Sequence, residues 1–234
     1  MKKFPESAEE FLSGKIFLIN KPLGWSSFDV VRKIKNLIKK KYNIKNIKIG
    51  HAGTLDPLAT GLLIICTGKF TKRISKIQEQ EKTYIGTITL GGTTPSYDLE
   101  TKVDNNFETS HLTDKMIIEN TAQFTGKIEQ KPPIFSALKR GGERLYKKAR
   151  RGEKIEIENR KVTVNLFKIL SIDGMNINFK IKCSKGTYIR SIANDFGLAL
   201  NCGGYLSKLC RTEIGNYKLS KGINVDDFEK IIKK

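Results

Sequence analysis

The sequence is short of histidine, of usefully spaced cysteine, of acids to match its bases and of long apolar runs, and each shortage narrows what the chain can be. Histidine is represented by His51 and His111 alone, and Cys66, Cys183, Cys202 and Cys210 form no C-x-x-C pair. Metal-ligand spacing is therefore missing, and no metal site is expected. The longest apolar run, Leu62 to Cys66, falls far below the ~20 residues that cross a bilayer. Pro5, Glu6 and Glu9 follow Met1-Lys2-Lys3 closely, so neither a signal peptide nor membrane attachment is expected. Scattered cysteines without an export signal suit a reducing, cytoplasmic compartment, where a thiol is a small packing group. Only 6 Pro occur, and no repeat or low-complexity spacer marks a boundary.

Basic charge, by contrast, is abundant: 43 Lys plus Arg stand against 24 Asp plus Glu over 234 residues, a net charge of +19. The 38% hydrophobic fraction suits a globular chain of one large domain or two merged ones. Excess positive charge favours a polyanionic partner when it is clustered. Arg32 to Lys48 holds eight basic residues and no acid, and Lys139 to Lys154 holds eight with two acids. The first run reads equally well as a solvated helix face. The second interrupts a basic loop with Gly141-Gly142 and is the better nucleic-acid candidate. There Lys139, Arg144, Lys147, Lys148, Arg150 and Arg151 offer cationic donors to a phosphate backbone, while Tyr146 reads as a helix anchor before a base contact.

Periodicity predicts an α+β fold with a mixed, mainly antiparallel central sheet flanked by helices and loops. Phe17 to Ile19 reads as a strand, and Ser26 or Ser27 as the cap of a helix in which Phe28, Val31, Ile34 and Ile38 face inward and the lysines outward. Further strands are expected at Ile47 to Ile49, Leu62 to Cys66 and Tyr84 to Leu90. Met175 to Cys183 alternates for nine positions and is expected to pair with Val162 to Ile172 across Asp173-Gly174. Helices are expected after Thr113, over Thr187 to Leu200 and after Asn224 or Asp226.

The segment Gly50 to Gly61, with three glycines, His51 and Asp56-Pro57 between two strands, reads as a shaped loop. An isolated Asp-Pro is a turn initiator and a lone His a structural hydrogen-bonder; together in one rigid loop they become candidates for chemistry. Gly61 to Lys69 misses Walker A spacing, and Gly50-His51-Ala52-Gly53 lacks the flanking helices of a KH loop. Cys183 to Arg190 lies where a strand passes into a helix, a place from which Arg190 could keep a carboxylate ionised.

Taken together, these segments resemble the bacterial TruB family of tRNA pseudouridine synthases. Asn20-Lys21-Pro22-Leu23-Gly24-Trp25-Ser26-Ser27, Gly50 to Leu63, Lys82-Thr83-Tyr84 with Leu90-Gly91, Gln130 to Gly152, and Cys183 to Arg190 are similar to five family segments in family order. The resemblance implies isomerisation of uridine-55 in the T-loop of tRNA, with no cofactor, by a flipped-base mechanism. It implies Asp56 as the catalytic aspartate, Tyr84 and Tyr188 bracketing the uracil, Arg190 pairing with Asp56, His51 supporting the flipped nucleotide and Leu209 as an apolar substrate contact. Lys21 and Pro22 would shape the site. From residues alone the two tyrosines read as packing groups.

The resemblance departs at Thr94-Pro95-Ser96, where the family often has Thr-Asp-Thr, although Asp98 is retained. It implies a single catalytic domain over 1–234, with an RNA-binding insertion around 93–160 and without the C-terminal PUA domain of longer members. The partner implied is the tRNA T-arm, and a monomer is the default expectation. The competing reading is a non-catalytic tRNA-folding chaperone, which Asp56 would discriminate.

Overall fold

The computed structural model describes residues 4–136, 138–153 and 155–234, without the side chains of Lys139 and Arg140. Its first part runs α1 (Ala8–Ser13), β1 (Ile16–Lys21), α2 (Ser27–Tyr42), β2 (Ile49–His51), β3 (Ala59–Thr67), α3 (Ile74–Glu79) and β4 (Lys82–Leu90). The middle holds β5 (Gly92–Thr93), β6 (Asn105–Asn106), α4 (Asp114–Asn120), β7 (Gly126–Gln130), β8 (Lys139–Arg140), β9 (Glu143–Arg144) and α5 (Leu145–Arg150). There follow β10 (Arg160–Asp173), β11 (Asn176–Cys183), α6 (Ile189–Ala199), β12 (Gly204–Ile214), β13 (Tyr217–Lys218), β14 (Ile223–Asn224) and α7 (Val225–Lys233). The fold is α+β with mainly antiparallel pairing. Two compact units divide the chain: Met1–Tyr84 with Cys210–Lys234, and Ile85–Leu209.

In the first unit β1 lies between β14, which is parallel to it, and β3, which is antiparallel with Ile16 opposite Cys66 and Lys21 opposite Gly61. The two-residue period of β1 buries Phe17, Ile19 and Lys21 on one face, so the strand that builds the core also carries a lysine to its end. A capping box opens α2: the Ser26 hydroxyl accepts from the Asp29 N–H, and the Asp29 carboxylate accepts from the Ser26 N–H, both at 3.1 Å. Asn43 ends the helix at φ +50°, a left-handed position that Asn tolerates.

The helix buries Val30, Val31, Ile34 and Ile38 into a core with Phe11, Phe17, Ile19 and Phe228, each side chain contributing roughly 1.5–3 kcal/mol. Phe28, expected among them, is instead 67% exposed. The stripe is completed by Ser27, whose hydroxyl turns in to Leu55, and the 100° step to residue 28 carries Phe28 past its edge. Helix α1, capped by Ser7, was not expected, because six residues are too few for a periodic signal. The strand expected at Ile47 to Ile49 begins at Ile49 and runs to His51.

In the second unit β10 and β11 form the expected hairpin, Asp173 opposite Asn176, with Gly174 in the turn at φ +55°. β7 adds to the far side of β10, Arg160 opposite Gln130. Phe124, Phe167, Phe179 and Phe196 meet at ring separations of 5.2–6.5 Å, mostly edge to face, and pack the buried face of α6 onto this sheet.

Candidate active site

The loop between β2 and β3 is anchored at several points. Asp56 opens a turn closed by the Ala59 N–H donating to the Asp56 carbonyl at 3.1 Å. Pro57 fits its second position because its fixed φ is already that of the turn. Three separate devices then hold the loop. The Gly24 N–H donates to the Pro57 carbonyl at 2.9 Å. The Ser27 side chain both accepts from the Leu55 N–H, at 2.8 Å, and donates to the Leu55 carbonyl, at 3.1 Å. Lys21, fully buried, donates its ammonium to the carbonyls of Pro22, Trp25 and Pro57 at 2.6–3.2 Å.

The third anchor carries charge to the site as well as geometry. Burial pushes the Lys21 ammonium down to about 8, the nearby Asp56 carboxylate opposes that shift and Arg211 adds to it. Lys21 and Asp56 are thus electrostatic neighbours, and Pro22 continues the turn that Lys21 ties.

Arg211 is the functional candidate that sequence reasoning missed. It is buried, and its guanidinium donates to the carbonyls of Leu62, Thr54 and Gly53 at 2.9, 3.4 and 2.9 Å. Through Arg211, β12 thereby grips the loop as well. Gly61 makes this approach possible: at φ +100° it would place a Cβ 2.4 Å from the Arg211 carbonyl oxygen, so only glycine fits. The one signal available was an arginine among strand residues ahead of Thr212-Glu213-Ile214, and basic residues are too common in this chain for that to stand out. His51 lies at the end of β2, opposite Ile65; burial, and next the Arg211 charge, push its imidazole pKa down, favouring the neutral ring. Tyr84 is buried in β4, beside Thr83, whose hydroxyl bonds Glu213 at 3.0 Å.

In the second unit Tyr188 and Arg190 stand at the start of α6. Gln130, buried at the end of β7, holds the backbone of Tyr188 at both ends: its carbonyl oxygen accepts from the Tyr188 N–H at 2.7 Å and its amide donates to the Tyr188 carbonyl at 2.9 Å. The ring of Tyr188 has the Arg160 guanidinium 4.3 Å above its centroid, a cation–π distance, and Arg160 also donates to the Gly186 carbonyl. Arg190 is buried, 3.6 Å from the Asp98 carboxylate, and donates to the carbonyls of Ser96 and Phe135 at 3.2 and 2.9 Å. Asp98 is thereby explained as a carboxylate partner of a buried arginine, with Thr94 and Ser96 hydroxyls both donating to its carbonyl. Leu209, half-buried, ends the second unit's part of β12.

The basic loop is more engaged than its sequence suggested. Arg150 pairs with Glu100 at 2.8 Å and Arg151 with Glu143 and Glu153 at 2.6–2.7 Å, leaving Arg144 and Lys147 exposed and Lys148 half-buried. Tyr146 is half-buried beneath Arg150, matching its reading as an anchor. The side chain of Lys139 lies outside the described residues. Among the described residues no group of three or more His, Cys, Asp or Glu could hold a metal, and no helix is long and apolar enough to cross a membrane.

Comparison with known proteins adds an independent line. Residues 39–189 match the TruB family pseudouridylate synthase N-terminal domain. The chain is 57% identical over 222 residues to the tRNA pseudouridine synthase B of Flavobacterium johnsoniae, covering 94% of this chain and 97% of that protein. It is 47% identical over 218 residues to the protein of that name from Phocaeicola vulgatus, 93% of each chain being covered. Among solved structures, a chain of a Cbf5-Nop10-Gar1 complex is similar at a TM-score of 0.71 and 29% identity, over 95% of this chain and 55% of that one.

Proposed function

The chain belongs to the TruB family of pseudouridylate synthases, and from that premise we propose that it is a tRNA pseudouridine synthase acting on uridine-55 of the T-loop, with Asp56 as its catalytic carboxylate. The observation that carries the reading is Asp56 itself, on a proline-fixed turn held by Gly24, Ser27 and Lys21 and flanked by backbone that Arg211 grips, in a chain 57% identical to a tRNA pseudouridine synthase B.

The isomerisation breaks the bond from uracil N1 to ribose C1′ and forms one from C5 to C1′; the C5 proton leaves and N1 gains one, so no external redox or group donor is consumed. A carboxylate serves each route to that exchange, by attack at C1′, by addition to C6, or by assisting elimination to a glycal. The base must first leave its stack, at a cost of a few kcal/mol. We assign to substrate binding His51, Tyr84, Tyr188, Arg190 and Leu209, with stacking on a tyrosine ring contributing ~1–3 kcal/mol. Lys21 and Pro22 position the loop. Arg144, Lys147, Lys148, Arg150 and Arg151, with Lys139, are assigned to the RNA backbone. We read residues 1–234 as one catalytic domain with an RNA-binding insertion around 93–160, working as a cytoplasmic monomer on the tRNA T-arm.

The test is incubation of wild type and Asp56→Asn with unmodified tRNA transcript, followed by position-resolved pseudouridine mapping. Asn keeps the shape and removes the charge, so the variant should bind tRNA and leave no detectable product, while wild type modifies position 55. Full activity in Asp56→Asn would sink the assignment. Tight binding without product from wild type would favour the RNA chaperone.

A further inference from the structure

Phe28 is the most exposed of the large apolar side chains among the described residues, at 67%, with Leu23 next at 63%. Both belong to the turn and first helical residues that are stitched to the Asp56 loop through Gly24, Ser27 and Lys21, and Leu58, on that loop, is also exposed. An exposed aromatic ring beside a candidate site offers a π-face on which a base can stack. From Phe28 the helix carries Arg32, Lys35 and Lys39 at steps of four, seven and eleven residues, which at 100° per residue keeps all four on one stripe about 16 Å long. Arg32 is exposed and bonded to Asp29, whereas Lys35 and Lys39 make no ion pair among the described residues. Glu and Asp are absent from Arg32 to Lys48.

We propose that this stripe is an RNA-binding track: Phe28 receives an unstacked base next to the Asp56 loop, and Arg32, Lys35 and Lys39 hold successive phosphates of the same strand. The proposal rests on the reading of the chain as a tRNA-modifying enzyme and adds a binding surface on α2 to the basic loop already assigned. Charge complementarity selects the occupant. A protein partner would meet an apolar tip followed by a run of cations, whereas a nucleic-acid strand offers π-faces and anions in that order. The capping box fixes the helix start, so Phe28 is presented on a rigid turn.

Filter binding of unmodified tRNA as a function of salt, with pseudouridine formation measured in parallel, tests it. Phe28→Ser should weaken tRNA binding about fivefold to hundredfold, the range for loss of one stacked base. Lys35→Gln combined with Lys39→Gln should lower the slope of log K against log salt by about 1.5, at roughly 0.7–0.9 for each phosphate no longer neutralised. A charge-matched control, Lys115→Gln with Lys230→Gln, removes the same charge from α4 and α7. Thermal midpoints check that all fold; Phe28, Lys115 and Lys230 are exposed, and Lys35 and Lys39 half-buried. Variants of the stripe that bind like the control overturn the track, whether or not wild type is active. Wild type that binds through the stripe yet makes no pseudouridine would leave the track standing and overturn the enzymatic reading instead.

Discussion

Buried Arg211 ties as many carbonyls of the candidate site together as the buried Lys21 does. Arg211 directs its guanidinium to three carbonyls, two of them, Gly53 and Thr54, within three residues of Asp56. Methionine fills similar space without donors, so Arg211→Met leaves those acceptors unpaired in a buried setting and should lower unfolding stability in urea by about 1–3 kcal/mol for each carbonyl left without a partner. Arg211→Lys restores the charge but not the fork and should fall between. Electrostatics gives a second readout. Arg211 holds the His51 imidazole pKa down, after burial, so loss of its charge should move the His51 titration upward in NMR. A His51 pKa unmoved in folded Arg211→Met would refute the electrostatic link. The Asp56 turn was legible in the sequence as Asp-Pro within a glycine-bearing loop, and its catalytic assignment came from the family resemblance; Arg211 was not legible, because a hydrogen-bonding arginine and a solvated one are written with the same letter.

Among elements, those with a strong period were legible and those fixed by tertiary partners were not. The β10–β11 hairpin follows from nine alternating residues and Asp173-Gly174, and α2 from its cap and apolar stripe, yet that stripe misplaced Phe28 because a neighbouring serine took the inward position. Helix α5 shows the same limit for charge. Its run of basic residues read as uniformly available, but Arg150 and Arg151 are paired with Glu100, Glu143 and Glu153, acids too far away or too sparse to weigh in a count. Surface pairs of this kind stabilise by only ~0–1 kcal/mol, so they can be exchanged for phosphate. Lys147→Gln with Lys148→Gln, which breaks none of these pairs, should therefore reduce the salt slope of tRNA binding by about 1.5, and Arg150→Gln with Arg151→Gln by a smaller amount, because arginines that exchange glutamate for phosphate only in part neutralise fewer phosphates. Equal slopes for the two double variants would show that the ion pairs do not compete with RNA. Tyr188 is an element-level case too, since its place at the start of α6 depends on Gln130 from β7, a long-range clamp with no local signature.

For the whole molecule, the four cysteines report how the fold encloses its core. Composition raised the expectation of free thiols used as packing groups, and among the described residues all four are free, with Cys66, Cys183 and Cys202 buried and Cys210 partly exposed. Burial raises the Cys66 thiol to about 11 and pushes Cys202 upward as well, which suppresses the thiolate that reacts with a disulfide reagent. In native buffer near pH 8 an aromatic disulfide reagent should therefore titrate one thiol rapidly, Cys210, and all four once the chain is unfolded in urea. Cys210→Ser should abolish the fast phase and leave three slow thiols. Because Cys66 belongs to the first unit and Cys183 and Cys202 to the second, the slow phases also measure how each unit opens: a thiol reached only through cooperative unfolding reacts at a rate that tracks global stability, and one reached by local opening does not. Mass spectrometry of the labelled peptides assigns each phase to its cysteine. Rapid labelling of Cys66 in the native protein would contradict a closed β1–β3 core, and with it the rigid platform on which the Asp56 loop is held.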